Sequence, residues 1–227
     1  MAGRIDLNAD IGEGFPYDDQ LLQIITSANV CCGAHAGSAL MTEETIKKCH
    51  RAHVRVGAHP GYADRENFGR KSVELTSDAA KSELFRSLSG QLDRFKGDWK
   101  YLKPHGGLYH DVGANEAHAG VLTALLVRSD LPLMGFPGTL HSSSAKAAGV
   151  RFWREGFADR RYGPDGRLVP RSQTDAMLSD ESEIREQVLR LADEVDSICL
   201  HGDGDHCIEI AKLARATLEE AGWTVGA

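Results

Sequence analysis

The stretch KYLKPHGGLYHD, residues 100–111, runs from apolar and aromatic residues into Lys103 and His105, then into Gly106 and Gly107. A strand that only builds a core has no use for an ammonium and an imidazole at its end. The arrangement recurs along the chain. DLNADIGEG carries Asp10 and Glu13, NVCCGAH ends on His35, VRVGAH on His59, and ICLHGD on His201 and Asp203. Two chemistries suit such a set. In the first, imidazoles and a carboxylate hold a divalent metal ion that lowers the pKa of a bound water. Asp10, His35 and His59 are the expected ligands, although no HExxH or HxH pattern supports them. The second is metal-free attack on an amide. There Asp10 or Glu13 takes a proton from water, and Lys103 or His105 stabilises the oxyanion.

These residues can meet only if the elements carrying them end at one level. Seven strands are predicted near 4–10, 28–34, 54–59, 99–104, 131–136, 150–155 and 197–202. Helices are predicted near 18–26, 39–53, 77–96, 114–128, 139–148, 180–195 and 205–221. Leu84, Leu88, Leu92 and Phe95 mark one buried helical stripe, and Ile210, Leu213, Ala214, Leu218 and Ala221 another. Gly222 is the expected C-cap of the last helix. Strands alternating with helices predict βαβ units and a mainly parallel sheet.

Strand parity selects the architecture. Ile5, Leu7 and Ala9 share one face, and Asp6, Asn8 and Asp10 the other. A strand covered by helices on both faces is apolar on both. These are apolar on one face only, which predicts a barrel whose inner face lines a polar funnel. The expected fold is an α/β, seven-stranded parallel β/α barrel in a single domain spanning 1–227, with its site at the C-terminal rim. Glu155 or Asp159 is expected to join that rim. Glycines 12, 14, 37, 61, 106, 107, 202 and 204 are expected to give tight turns and close approach to a ligand. The other histidines, at 50, 53, 110, 118, 141 and 206, read as surface or packing residues. Residues 156–173 form a long segment with Arg160, Arg161, Arg167 and Arg171. It reads as a lid that brings an arginine to a substrate carboxylate.

Composition narrows the function classes. The 227 residues carry 26 basic and 33 acidic side chains, a net charge of −7, which argues against a nucleic-acid partner. No apolar run reaches membrane-spanning length, and MAGRIDLNAD has no signal-peptide pattern, so a cytoplasmic location is expected. The cysteines, at 31, 32, 49, 199 and 207, are odd in number and are expected to be buried free thiols. GRKS at 69–72 lacks the glycine spacing of a phosphate loop, so no nucleotide-binding fingerprint is present.

Taken together, DLNADIGEGF, SANVCCGAHAG, VGAHPGY, LKPHGGLY, FADRRY, LVPRSQ and ICLHGD resemble the LamB/YcsF family of prokaryotic-type 5-oxoprolinase A subunits. The resemblance implies a barrel of the glycoside hydrolase/deacetylase type. It also implies opening of the 5-oxo-L-proline lactam to L-glutamate with ATP hydrolysis, in a complex with subunits B and C. Use of ATP is then expected of the complex, with the activating step on the partners and ring opening on this chain. The family motifs fall on Asp10, Glu13, His35, His59, Lys103, His105, Asp159, Arg160, His201 and Asp203. The expected catalytic set is Asp10, Glu13, Lys103, His105, His201 and Asp203. The expected substrate contacts are Asn8, Asn29, Tyr109, Asp159 and Arg160. The chain departs from the family pattern at Ala9, Ala34 and Ser38, where cysteine, phenylalanine and aspartate are usual. Two other readings fit the same barrel. One is a self-sufficient metal-dependent deacetylase or carbohydrate hydrolase, and the other is a non-catalytic subunit that binds a small acid. Apolar helix faces would also suit association of identical chains.

Overall fold

Strand parity sets the architecture of the computed structural model, which describes residues 3–171 and 173–227. The strands are β1 (Arg4–Ile11), β2 (Ser27–Cys31), β3 (Arg55–His59), β4 (Tyr101–Leu102), β5 (Leu133–Gly135), β6 (Phe152–Phe157) and β7 (Ser197–Leu200). Each pairs in parallel with the next, and β1 pairs with both β2 and β7, which closes the ring. An eighth strand that the sequence reading missed, β8 (Thr224–Val225), pairs with Arg4 and Ile5 at the start of β1. Being two residues long, it shows no alternation to read.

The outward faces are apolar, as parity requires: Ile5, Leu7, Ala9 and Ile11 join the core beneath the helices. Around the barrel lie α1 (Asp18–Leu21), α2 (Ala39–Arg51), α3 (Asp78–Asp93), α4 (Gly106–Ala114), α5 (Glu116–Ser129), α6 (Leu140–Ala148), α7 (Glu181–Glu194) and α8 (Cys207–Glu220). Local chemistry starts several of them. The side chains of Ser38, Ser77, Asn115, Thr139 and Asp180 accept from the first-turn amides of α2, α3, α5, α6 and α7. The α3 stripe buries Leu84, Leu88 and Leu92 as predicted. In α8 the buried face is turned from the predicted one. Ile208, Ala211, Ala214 and Leu218 are buried, Ile210 and Leu213 are half-buried, and Ala221 is exposed. Gly222 follows that helix at φ +86°, as a terminating glycine should. All five cysteines are free and buried.

Two expectations are corrected. The inner face is a filled polar core rather than an open funnel. Asn29 Nδ2 donates to Asn8 Oδ1 at 2.7 Å, Asn8 Nδ2 to Ser197 Oγ at 2.7 Å, and Ser27 Oγ to Asp6 Oδ1 at 2.7 Å. Tyr101 lies across the bore and donates to Asn29 Oδ1 at 2.7 Å. A Cβ on its strand neighbour Gly57 would come within 2.2 Å of the Tyr101 ring, so glycine there makes room for the phenol. The second correction is α4, which Gly106 and Gly107 disguised as a loop. These glycines make room for the chain itself: a Cβ at either would lie 3.0 Å from the carbonyl oxygen of Gly69 or Arg70.

Candidate active site

The ends of β1, β3, β4 and β7 open onto a cavity of about 370 Å³. Its wall includes Asp10, Glu13, His59, Lys103, His105, Tyr109, His201 and Asp203. From the stretch expected to form a lid, Phe157, Arg160, Leu168, Val169, Pro170 and Arg171 also line it. That segment is braced by pairing of Tyr162 with Leu168 and of Arg160 with Met177. Arg161 turns away to Glu183, and Arg167 is exposed.

At the floor, His59 and His105 face each other with Nε2 and Nδ1 3.0 Å apart. His59 Nδ1 lies 2.8 Å from the Lys103 carbonyl oxygen, and His105 Nε2 2.8 Å from that of Phe68. Glu13 Oε1 is 3.4 Å from His105 Nδ1 and 3.2 Å from His35 Nε2. The His35 ring stacks on His105 at 3.6 Å between centroids. Burial and the neighbouring Asp10 carboxylate push the Glu13 carboxyl up to about 8. Burial, with His59 close by, pushes His35 down to about 3, and burial with His59 and His35 pushes His105 down to about 2. Among the described residues, the group with ligand atoms close enough to hold a metal ion is Glu13, His59 and His105. Of the expected ligands, Asp10 Oδ2 is 3.5 Å from His59 Nε2, whereas His35 is directed at Glu13 and does not line the cavity.

Lys103 is the buried hub of the second group. Its ammonium lies 2.9 Å from Asp10 Oδ1, 2.8 Å from Glu155 Oε1 and 3.0 Å from Cys199 Sγ. Tyr109 donates to the other oxygen of Glu155 at 2.9 Å. Burial alone would raise the Asp10 carboxyl, but Lys103 and then His59 hold it well below the usual carboxylate range. Lys103 moves the opposite way: desolvation would lower it, and Asp10 with its other neighbours raises it. Asn29 Nδ2 also donates to Asp10 Oδ1, at 2.8 Å. Asn8 and Asn29 therefore sit in the barrel core beneath the cavity and do not line it.

A third group holds His201. Asp159 accepts from both the backbone N–H and the Nδ1 of His201, at 3.0 and 2.9 Å. The ring of His201 stacks against Phe157 and lines the cavity. Asp159 is buried behind that ring rather than facing the cavity. Burial would raise its carboxyl, and His201 more than reverses this. Arg160 donates through Nη2 to the Val169 carbonyl at 2.7 Å, while its buried Nε has no partner among the described residues. Arg70 pairs with Asp203, and Arg171 Nη1 stands 3.5 Å from the same carboxylate. The sequence reading missed Arg70 and His110 as cavity residues. Arg70 follows a turn with no strand pattern. His110 lies in the unrecognised α4, whose opening on the rim would have exposed it. His118 and His141 are buried packing residues, as expected.

Comparison with known proteins agrees with this architecture. The model of the LamB/YcsF family matches residues 5–227. A protein of Histophilus somni named as the A subunit of 5-oxoprolinase is 41% identical over 239 residues, 96% of each chain. One of the same name from Pyrococcus furiosus is 36% identical, covering 96% of this chain and 95% of its own. The crystal structure of the lactam utilization protein from Thermus thermophilus superposes with a TM-score of 0.87 at 30% identity, over 99% of both chains. A family 4 carbohydrate esterase from Streptomyces lividans shares the fold alone, with a TM-score of 0.60 at 12% identity. The closed seven-stranded barrel and the family match along nearly the whole chain lead to one conclusion: the chain belongs to the LamB/YcsF family.

Proposed function

We propose that this chain hydrolyses a cyclic amide, opening the lactam of 5-oxo-L-proline to L-glutamate as the A component of an ATP-dependent 5-oxoprolinase. The observation that carries the reading is the 41% identity to the A subunit of a 5-oxoprolinase over 96% of both chains. The cavity supplies the chemistry such a reaction needs. Water adds its oxygen to the lactam carbonyl carbon, the ring C–N bond breaks, and the departing nitrogen takes a proton.

Arg160 lines the cavity, and its guanidinium can bind the substrate carboxylate in bidentate fashion. His201 carries the proton. Its Nδ1 is held by Asp159, which leaves Nε2 to exchange a proton with the attacking water and the leaving nitrogen. Asp10, held ionised by Lys103, is a weak base and acts instead as fixed negative charge beside the reacting centre. The Lys103 ammonium supplies the positive counterpart toward the developing oxyanion. Asn8 and Asn29 position Asp10 from below.

ATP-dependent activation is assigned to partner subunits B and C, since GRKS at 69–72 lacks phosphate-loop spacing. The test is coupled glutamate formation from 5-oxo-L-proline and ATP. The isolated chain should give no turnover, and adding subunits B and C should produce it. Full activity of the chain alone would contradict this division of labour.

A further inference from the structure

We propose that Glu13, His59 and His105 form a binding site for a divalent transition-metal ion of the zinc class at the cavity floor. The inference stands on ligand geometry and is independent of the substrate's identity.

A backbone carbonyl can only accept, so His59 Nδ1 and His105 Nε2, each 2.8 Å from one, must both carry the hydrogen. The opposite nitrogens, His59 Nε2 and His105 Nδ1, are then left as lone pairs in the neutral rings. They face each other at 3.0 Å, with Glu13 Oε1 3.4 Å from the second. Lone pairs pointed at one another repel unless something positive joins them. Neighbouring ligands of an ion bound at about 2.0–2.1 Å stand about 3 Å apart, which is the spacing found. Imidazole–metal ligation commonly fixes the tautomer through a carbonyl on the far nitrogen, and both rings have one.

The surroundings hold this arrangement. His35 stacks on His105 and directs Nε2 to Glu13, so it orients two ligands without being one. A Cβ at Gly61 would lie 2.8 Å from His35 Nδ1, and one at Gly69 would lie 2.7 Å from His35 Cβ. Two imidazoles and a carboxylate form a known catalytic zinc donor set that leaves a coordination position open, and all three residues line the cavity. When bound, such an ion supplies a Lewis acid and an acidified water.

The test uses the full chain produced without a polyhistidine tag. Metal content is measured by plasma emission, and metal-stripped protein is titrated with Co²⁺ while visible d–d absorption is followed. The expected result is one ion per chain and a band saturating at one equivalent. Glu13→Gln, close in shape, should weaken Co²⁺ binding by about 100-fold, since even residues supporting a ligand are worth 10–100-fold. His59→Ala, with folding checked by thermal melt, should abolish the band. Folded wild-type protein that gives no band would overturn the site and indicate a proton shared between the rings. So would an unchanged band in both folded variants. Neither readout needs substrate or partners, so failure of glutamate formation would leave this inference standing.

Discussion

His201 and Asp159 show how one buried side chain sets the chemistry of another. Asp159 accepts twice from His201 and is itself out of reach of a cavity ligand. Asp159→Asn keeps the shape but removes the charge that fixes the tautomer of His201. Proton transfer by a positioned group is worth about 10²–10⁴-fold, so kcat in the reconstituted complex should fall by about 100-fold or more while KM changes little. A matched rise in KM with kcat preserved would instead mark Asp159 as a substrate contact. The types of these residues were legible in FADRRY and ICLHGD. Their relation was not, because it depends on how far β6 and β7 extend past one another.

Among the elements, β3 and β4 carry the tightest constraint. Gly57 and Tyr101 are register neighbours, and the phenol fills the space a side chain at 57 would take. Gly57→Ala forces the ring and its Asn29 hydrogen bond to shift. Overpacking of this kind costs about 1–3 kcal/mol, or more where backbone must move. Urea unfolding should register that loss, and an unchanged midpoint would mean that the bore has slack. Alternation revealed β1, β2, β3 and β7 because each shows one polar and one apolar face. Serine, asparagine, threonine and aspartate side chains cap the starts of α2, α3, α5, α6 and α7. What escaped was α4, whose opening Gly-Gly pair lowers helix propensity and is there for packing against residues 69–71.

For the whole molecule, barrel closure brings residues 10, 59, 105, 160 and 201 to one wall. The convergence of strand-end residues was legible from parity. The tautomers at His59 and His105 were not, since both depend on backbone carbonyls, one of them from a loop with no periodicity. Closure also buries Asp10 and Asp159, both with folded-state carboxyls held below the unfolded value. A depressed pKa adds stability that is full above the unfolded value of about 4 and is lost as pH falls through the folded one. The contribution of these two carboxylates should therefore be complete near neutral pH and be lost below about pH 4. In Asp159→Asn that acid-side drop should be shallower, and an equal slope in wild type and variant would show that the Asp159–His201 pair contributes none of it.

The most direct measurement is the rate of glutamate formation from 5-oxo-L-proline and ATP by this chain assembled with subunits B and C, comparing wild type with Asp10→Asn. Asp10 anchors Lys103 and faces the cavity, so the expected result is a loss of at least about 100-fold with the assembly still formed. Wild-type turnover in the Asp10→Asn assembly would contradict a catalytic role for this cavity and leave the chain as a binding subunit.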